Sequence, residues 1–287
     1  MNRHAVIVAI GLTLTAASAK AADPPLAAPS GFQGAGLGMD EQRGRVWGEI
    51  AFHTKDFITV FSPTFGFGYR VLDQLEIEAM LPLAYGSVKT VVCAGPCMAS
   101  RDSGFGIGNP YVGVNWVGLD GTVRYKVGVG MALPLASDSG AEGLAVLYTA
   151  TTFGFQDLKL WFPDTFAVSG PARVEFGDEL IGSLDGELAV LFDAGKLRSG
   201  TDAYLTVAPG VGYYFDKTFL LGVRLPLWWG FTDKGDNAQV ALEPYLRGDL
   251  GQGFLNARFT MNLDEPLGFA FNRGKVWGLH FGGGFVF

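Results

Sequence analysis

The final strand of the chain, residues 276–287, alternates almost without fault. Trp277, Leu279, Phe281, Gly283, Phe285 and Phe287 share one face, and Val276, Gly278, His280, Gly282, Gly284 and Val286 the other. A soluble sheet would leave Phe281, Phe285 and Phe287 bare in water. In the wall of a membrane barrel the same rings dissolve in acyl chains. Only helices and closed barrels pair every backbone group inside lipid. No stretch beyond the N-terminal segment reaches the roughly 18 unbroken apolar residues of a spanning helix, because Gly, Arg, Glu, Asp or Pro interrupts each one. The expected fold is therefore all-β, a transmembrane up-and-down antiparallel β-barrel.

The N-terminal end agrees. Asn2-Arg3-His4 is a short basic start, residues 5–17 are apolar, and Ala19-Lys20-Ala21 puts small residues at the two positions a signal peptidase reads. This predicts a signal peptide over 1–21, a lead segment over 22–44 and a barrel over 45–287. Such export places the chain in the outer membrane of a diderm, Gram-negative bacterium, with outer-membrane lipid as its first partner.

Composition fits short twisted strands: Gly supplies 42 of 287 residues, aromatics 13% and charged residues only 17%, against roughly 25% charged in an average soluble domain. The net charge of −7, with no basic patch, argues against nucleic acid.

The barrel reads as a train of hairpins, with strands near 45–54, 57–71, 74–86, 106–117, 122–134, 166–177, 185–193, 203–215, 218–231, 239–249, 254–263 and 276–287. That gives about 12 strands, an even number as single-chain bacterial barrels have. In the clearest case Phe219, Leu221, Val223, Leu225, Leu227, Trp229 and Phe231 face lipid, while Gly222 and Arg224 face the lumen, with Leu220 and Trp228 filling it. Gly222 is expected to accept a large side chain into the lumen. The turns at 72–73, 119–120, 216–217 and 250–253 are periplasmic by parity. The link over 136–165 reads as a long extracellular loop in which 144–155 forms a short helix; read as further strands, it raises the count to 14.

Parity also selects the candidate functional residues. Arg70, Arg124, Lys126, Arg173, Arg224, Arg247 and Arg258 point inward, as do Glu49, Glu76, Glu78, Glu175, Glu187 and Glu243. Most lie within a few residues of a periplasmic turn, which predicts a charge belt in the periplasmic half. Such a belt either plugs the barrel with mutually paired charges or forms a constriction that selects solutes. Cys93 and Cys97, in an expected extracellular loop, are placed for a disulfide in an oxidising compartment. No set of thiols and histidines suits a metal, and no cofactor motif is present. His53 reads as a solvated histidine at a loop edge, and His280 points into the lumen with no nucleophile on its strand. No nucleophile elbow accompanies them, so the chain reads as a non-enzyme.

Two resemblances sharpen this. The aromatic last residue preceded by alternate apolar ones resembles the carboxy-terminal assembly signal of bacterial outer-membrane barrels, which implies the barrel-assembly machinery as a partner. The fragments Leu75-Glu76-Ile77-Glu78-Ala79-Met80-Leu81-Pro82-Leu83, Gly104-Phe105-Gly106-Ile107-Gly108-Asn109-Pro110-Tyr111-Val112-Gly113 and Val127-Gly128-Val129-Gly130-Met131-Ala132-Leu133-Pro134-Leu135 resemble the outer-membrane transporter family associated with meta-pathway phenol degradation. That resemblance covers roughly the first half of the mature chain and implies an uptake or efflux barrel for small, often hydrophobic compounds; the expected function is a passive channel for small, hydrophobic or aromatic solutes. The alternative reading is a structural or adhesive barrel with a side-chain-plugged lumen and no transport.

Overall fold

The computed structural model describes residues 43–55, 58–93, 97–120, 122–137, 139–152, 155–194, 200–215, 218–231, 237–264 and 276–287. The signal peptide and nearly all of the lead segment lie outside these residues. Fourteen strands and two helices follow in the order β1 (Gly44–Lys55), β2 (Ile58–Leu72), β3 (Leu75–Cys93), β4 (Cys97–Ile107), β5 (Tyr111–Asp120), β6 (Val123–Ala132), α1 (Gly140–Thr152), α2 (Leu158–Trp161), β7 (Thr165–Phe176), β8 (Leu180–Asp193), β9 (Thr201–Phe215), β10 (Phe219–Arg224), β11 (Leu227–Gly230), β12 (Ala238–Leu250), β13 (Gly253–Asn262) and β14 (Trp277–Val286).

Two pairs of these strands are halves of one crossing. β4 and β5 both lie along β3, pairing with Leu83–Cys93 and Leu75–Met80 respectively. β10 and β11 likewise share β9 and β12 as neighbours. The second break falls at Pro226, which has no N–H to give the ladder; its carbonyl still accepts from Ala241 N at 2.9 Å. Counted as crossings, the wall has 12 antiparallel strands, closed where Arg45–Thr54 of β1 meets Val286–Trp277 of β14. The final residue completes that seam, with Gly44 N donating to Phe287 O at 2.7 Å and Phe287 N to Gly44 O at 2.8 Å.

The outward parity is apolar and bare. Phe65, Val129, Phe281 and Phe285 are 53%, 58%, 57% and 66% exposed, values that make sense only where lipid replaces water. At the inward parity the described residues are buried or half-buried along most of each strand, and Tyr204, Tyr214, Leu220, Trp228 and Tyr245 are buried.

Four expectations need correction. The strand expected over 106–117 is two pieces, and β3 and β4 extend as a hairpin up to Cys93 and Cys97 where a loop is expected. In the sequence of 87–93 and 97–102 the alternation that marks a lipid-facing strand fades, although the backbone of both segments stays paired. The helix expected at 144–155 begins earlier, at Gly140, and its loop turns into the barrel instead of outward. Gly222 has no room: a Cβ there would lie 2.4 Å from the Tyr245 ring. His53 is not solvated. It is fully buried on the inward face of β1, edge-on to His280 with ring centroids 4.8 Å apart.

Candidate solute pathway in the barrel lumen

The short-turn end of the lumen is crossed by ion pairs. Because inward positions recur every second residue, charges on adjacent strands stand at similar heights and reach across one or two strands. Arg45 of β1 reaches over β2 to Glu76 at 2.8 Å and Glu78 at 3.5 Å. Lys126 of β6 reaches over β5 to the same carboxylates, at 3.4 and 2.7 Å, and Asn115 Nδ2 donates to Glu78 at 3.0 Å. A second chain runs around the other wall. Glu175 pairs with Arg124 at 3.8 Å and with Arg173. Asp185 lies 3.4 Å from Arg173 and 3.1 Å from Arg224. Glu243 joins Arg224 to Arg258, the latter at 3.5 Å, and accepts from the Thr260 hydroxyl at 2.6 Å. Arg258 ends the chain at Glu49, 2.6 Å away, where His280 Nδ1 stands 3.0 Å from the same carboxylate. Arg247 pairs with Asp249, to which the Tyr214 hydroxyl donates at 3.3 Å.

Each of these charges is worth keeping only because its partner is present, since a buried charge without one costs several kcal/mol. The pairing also cancels the field that a solute would meet: opposite signs alternate along each chain, so the belt is a polar obstruction without a strong bias of sign.

Above the belt lies the β6–β7 loop. α1 packs against the inward faces of β3 and β4, where glycine makes room: a Cβ at Gly86 would lie 2.8 Å from Ala145 Cα. α2 is buried along its whole length and is held from two sides. Asn109, in the break between β4 and β5, is wholly buried. Its backbone N–H donates to Leu160 O at 2.7 Å, and its Nδ2 donates to Phe162 O at 2.7 Å and Lys159 O at 3.1 Å. Its Oδ1 accepts from Ala136 N at 2.9 Å. Gly108 beside it leaves no space for a side chain, since a Cβ would lie 2.5 Å from Leu160 O. On the far side Lys159 Nζ contacts Glu187 of β8 at 2.5 Å and Asp157 at 3.2 Å. Burial pushes the Asp157 carboxyl up to about 7 against the pull of Lys159, while Glu187 and Asp157 outweigh burial and hold the Lys159 ammonium well above its usual value.

Of the residues selected from sequence, Glu76, Glu78 and Lys126 meet in one cluster and Arg124, Arg173, Glu175, Arg224, Glu243 and Arg258 in the other. Glu187 stands apart from them and holds the loop. Arg247 keeps to Asp249, and Arg70 stands at the rim, opposite Glu76 in the β2–β3 register. Arg45, Asp185 and Asp249 are missed by the sequence reading, although each shares the parity of a residue it selects on the same strand: Glu49, Glu187 and Arg247. Lys159 carries no such signal. The backbone places Cys93 directly opposite Cys97 at the hairpin tip.

No family model matches the sequence, and no curated protein matches it. Among solved structures the chain is similar to an outer-membrane channel from Pseudomonas putida F1, with a TM-score of 0.63 at 13% identity over 91% of this chain and 100% of that one. It is also similar to the NanC porin, with a TM-score of 0.50 at 9% identity over 84% of this chain and 98% of that one. The fold is that of a bacterial outer-membrane β-barrel. The phenol-pathway family resemblance has no matching family model behind it; the structural similarity supports the barrel alone.

Proposed function

We propose that this chain is a passive outer-membrane channel for small solutes, closed at rest by the β6–β7 loop and by the paired belt beneath it. The observation that carries the reading is the way the loop is held. Three of its residues other than glycine, Phe155, Asp157 and Asp164, have φ of 62°, 52° and 50°. Each costs about 1–3 kcal/mol and persists only while the surrounding contacts enforce it. A permanent plug has no need of such strain, whereas a gate that must leave its seat does. The self-neutralised belt favours uncharged solutes, and the hydrophobic or aromatic cargo implied by the family resemblance falls within that class. Insertion through the C-terminal strand by the barrel-assembly machinery is part of the same proposal.

The second reading, a structural or adhesive barrel, draws on the burial of the inward residues throughout the described wall. Liposome swelling separates the two. The Lys159→Gln variant, which weakens the hold on Glu187, is expected to swell faster than the parent in neutral solutes and to show little gain for charged ones. A parent and a variant both at the rate of empty liposomes would overturn the channel reading.

A further inference from the structure

Thr206, Trp228, Gln239 and Asn262 stand on the inward face of four neighbouring wall strands, β9, β11, β12 and β13. The register puts Trp228 opposite Thr206 on one side and opposite Gln239 on the other. Gln239 Nε2 donates to the Asp264 carbonyl at 3.0 Å and the Val240 carbonyl at 3.3 Å, and Asn262 Nδ2 donates to the Val276 carbonyl at 3.4 Å. Both amide groups are thereby fixed in orientation, because swapping O for N would face carbonyl against carbonyl. Their oxygens, Gln239 Oε1 and Asn262 Oδ1, are buried and have no hydrogen-bond partner among the described residues; the same holds for Trp228 Nε1 and Thr206 Oγ1. Gln239, Asn262 and Trp228 are 2%, 0% and 8% exposed. Buried polar groups are partnered almost everywhere in proteins, so four exceptions on adjoining strands ask for a partner from outside the wall.

The rings around them narrow its chemistry. Trp228 has Tyr204 at 6.2 Å and Phe155 at 5.2 Å between centroids. Phe155 belongs to the strained loop, with φ of 62°, so the ring resting on the indole is the one most readily given up. Two carbonyl acceptors, one indole donor and one hydroxyl require a ligand with at least two donors and one acceptor. Hydroxyl groups supply both, and the C–H face of a saturated ring packs on an indole. The nearby charges of Lys159, Asp157 and Glu187 are engaged with one another, so none of the three is spare as a counter-ion for a charged ligand.

We propose that this arc binds an uncharged cyclic polyol of hexose size. Its ring lies on Trp228 in the place that Phe155 holds, with hydroxyls donating to Gln239 and Asn262 and accepting from Trp228 and Thr206. The proposal rests on the channel reading and names the solute class within it.

The test is equilibrium binding of glucose, gluconate and glucosamine to the full chain refolded in detergent micelles, followed by calorimetry. Glucose is expected to bind saturably and at least about tenfold tighter than its charged analogues. Thr206→Val and Trp228→Phe each remove a polar atom that has no hydrogen-bond partner among the described residues, so Thr206→Val should keep or raise thermal stability while both weaken glucose binding by about tenfold. Phe155→Gly should tighten it. Absence of saturable glucose binding in both the parent and Phe155→Gly would overturn the proposal, as would binding that Thr206→Val and Trp228→Phe leave unchanged. The channel reading fails separately: glucose binding without solute-dependent liposome swelling overturns transport and leaves the site, whereas swelling without binding does the reverse.

Discussion

At the short-turn end of the lumen every strand from β6 to β8 contributes a charge to a chain of counter-ions that runs on through Arg224 and Glu243 to Arg258 and Glu49. Toward the other end Thr206, Trp228, Gln239 and Asn262 form a neutral arc whose polar atoms have no hydrogen-bond partner among the described residues, and Phe155 of the loop rests on Trp228. Ion pairs that bridge strands stiffen a barrel and are hard to separate, because each loss strands a charge. Neutral groups facing a loop are cheap to uncover. The difference assigns stability to one half and movement to the other within one wall.

Glu243→Leu should be the most damaging change, since it leaves Arg224, Arg258 and the Thr260 hydroxyl without their shared acceptor. We expect a loss of about 3–5 kcal/mol in folding titrations into lipid vesicles. Thr206→Val in the upper half should stay within about 0.5 kcal/mol. Equal losses at the two sites would break the comparison.

A smaller effect comes from pH. Docking of the loop raises the Asp157 carboxyl to about 7 from an ordinary 3.8, so between those values the docked loop binds a proton that the released loop does not. Acidification through that window favours docking, by up to about tenfold per pH unit for one proton. Channel activity is expected to fall as pH drops from 8 to 5, and Asp157→Asn to flatten the profile. A rise in activity on acidification would reverse the assignment.

The smallest effect belongs to the hairpin tip, where we propose that Cys93 and Cys97 form a disulfide. Alkylation followed by mass spectrometry should modify neither cysteine before reduction and both after it. Melting of the barrel should change little, because the disulfide closes a ring of only about five residues. A free thiol in the unreduced protein would refute the pairing.

The legibility of the two halves differs for a physical reason. A period of two fixes which residues face inward once a single lipid-facing strand is recognised, so Glu76, Glu78, Arg124 and Lys126 can be assigned without knowing their partners. The same rule reaches Arg45, Asp185 and Asp249 when applied to whole strands. His53 stands at the strand end, where parity still holds but nearby loop residues suggest solvent. Nothing periodic marks Lys159, whose burial depends on Gly86, Gly108 and Asn109 far away in the chain. The Gly-Asn-Pro-Tyr step is visible as a motif, yet its use as a bracket for α2 emerges only when the loop is folded against it.

That bracket gives the most direct test of a fixed lower half beneath a movable upper one. Asn109→Ala removes three side-chain hydrogen bonds to the loop and touches none of the belt's ion pairs. Single-channel recording in planar bilayers should show rare, brief openings in the parent and long ones in the variant, with no change in preference between cations and anions. Identical silence in both would contradict the account.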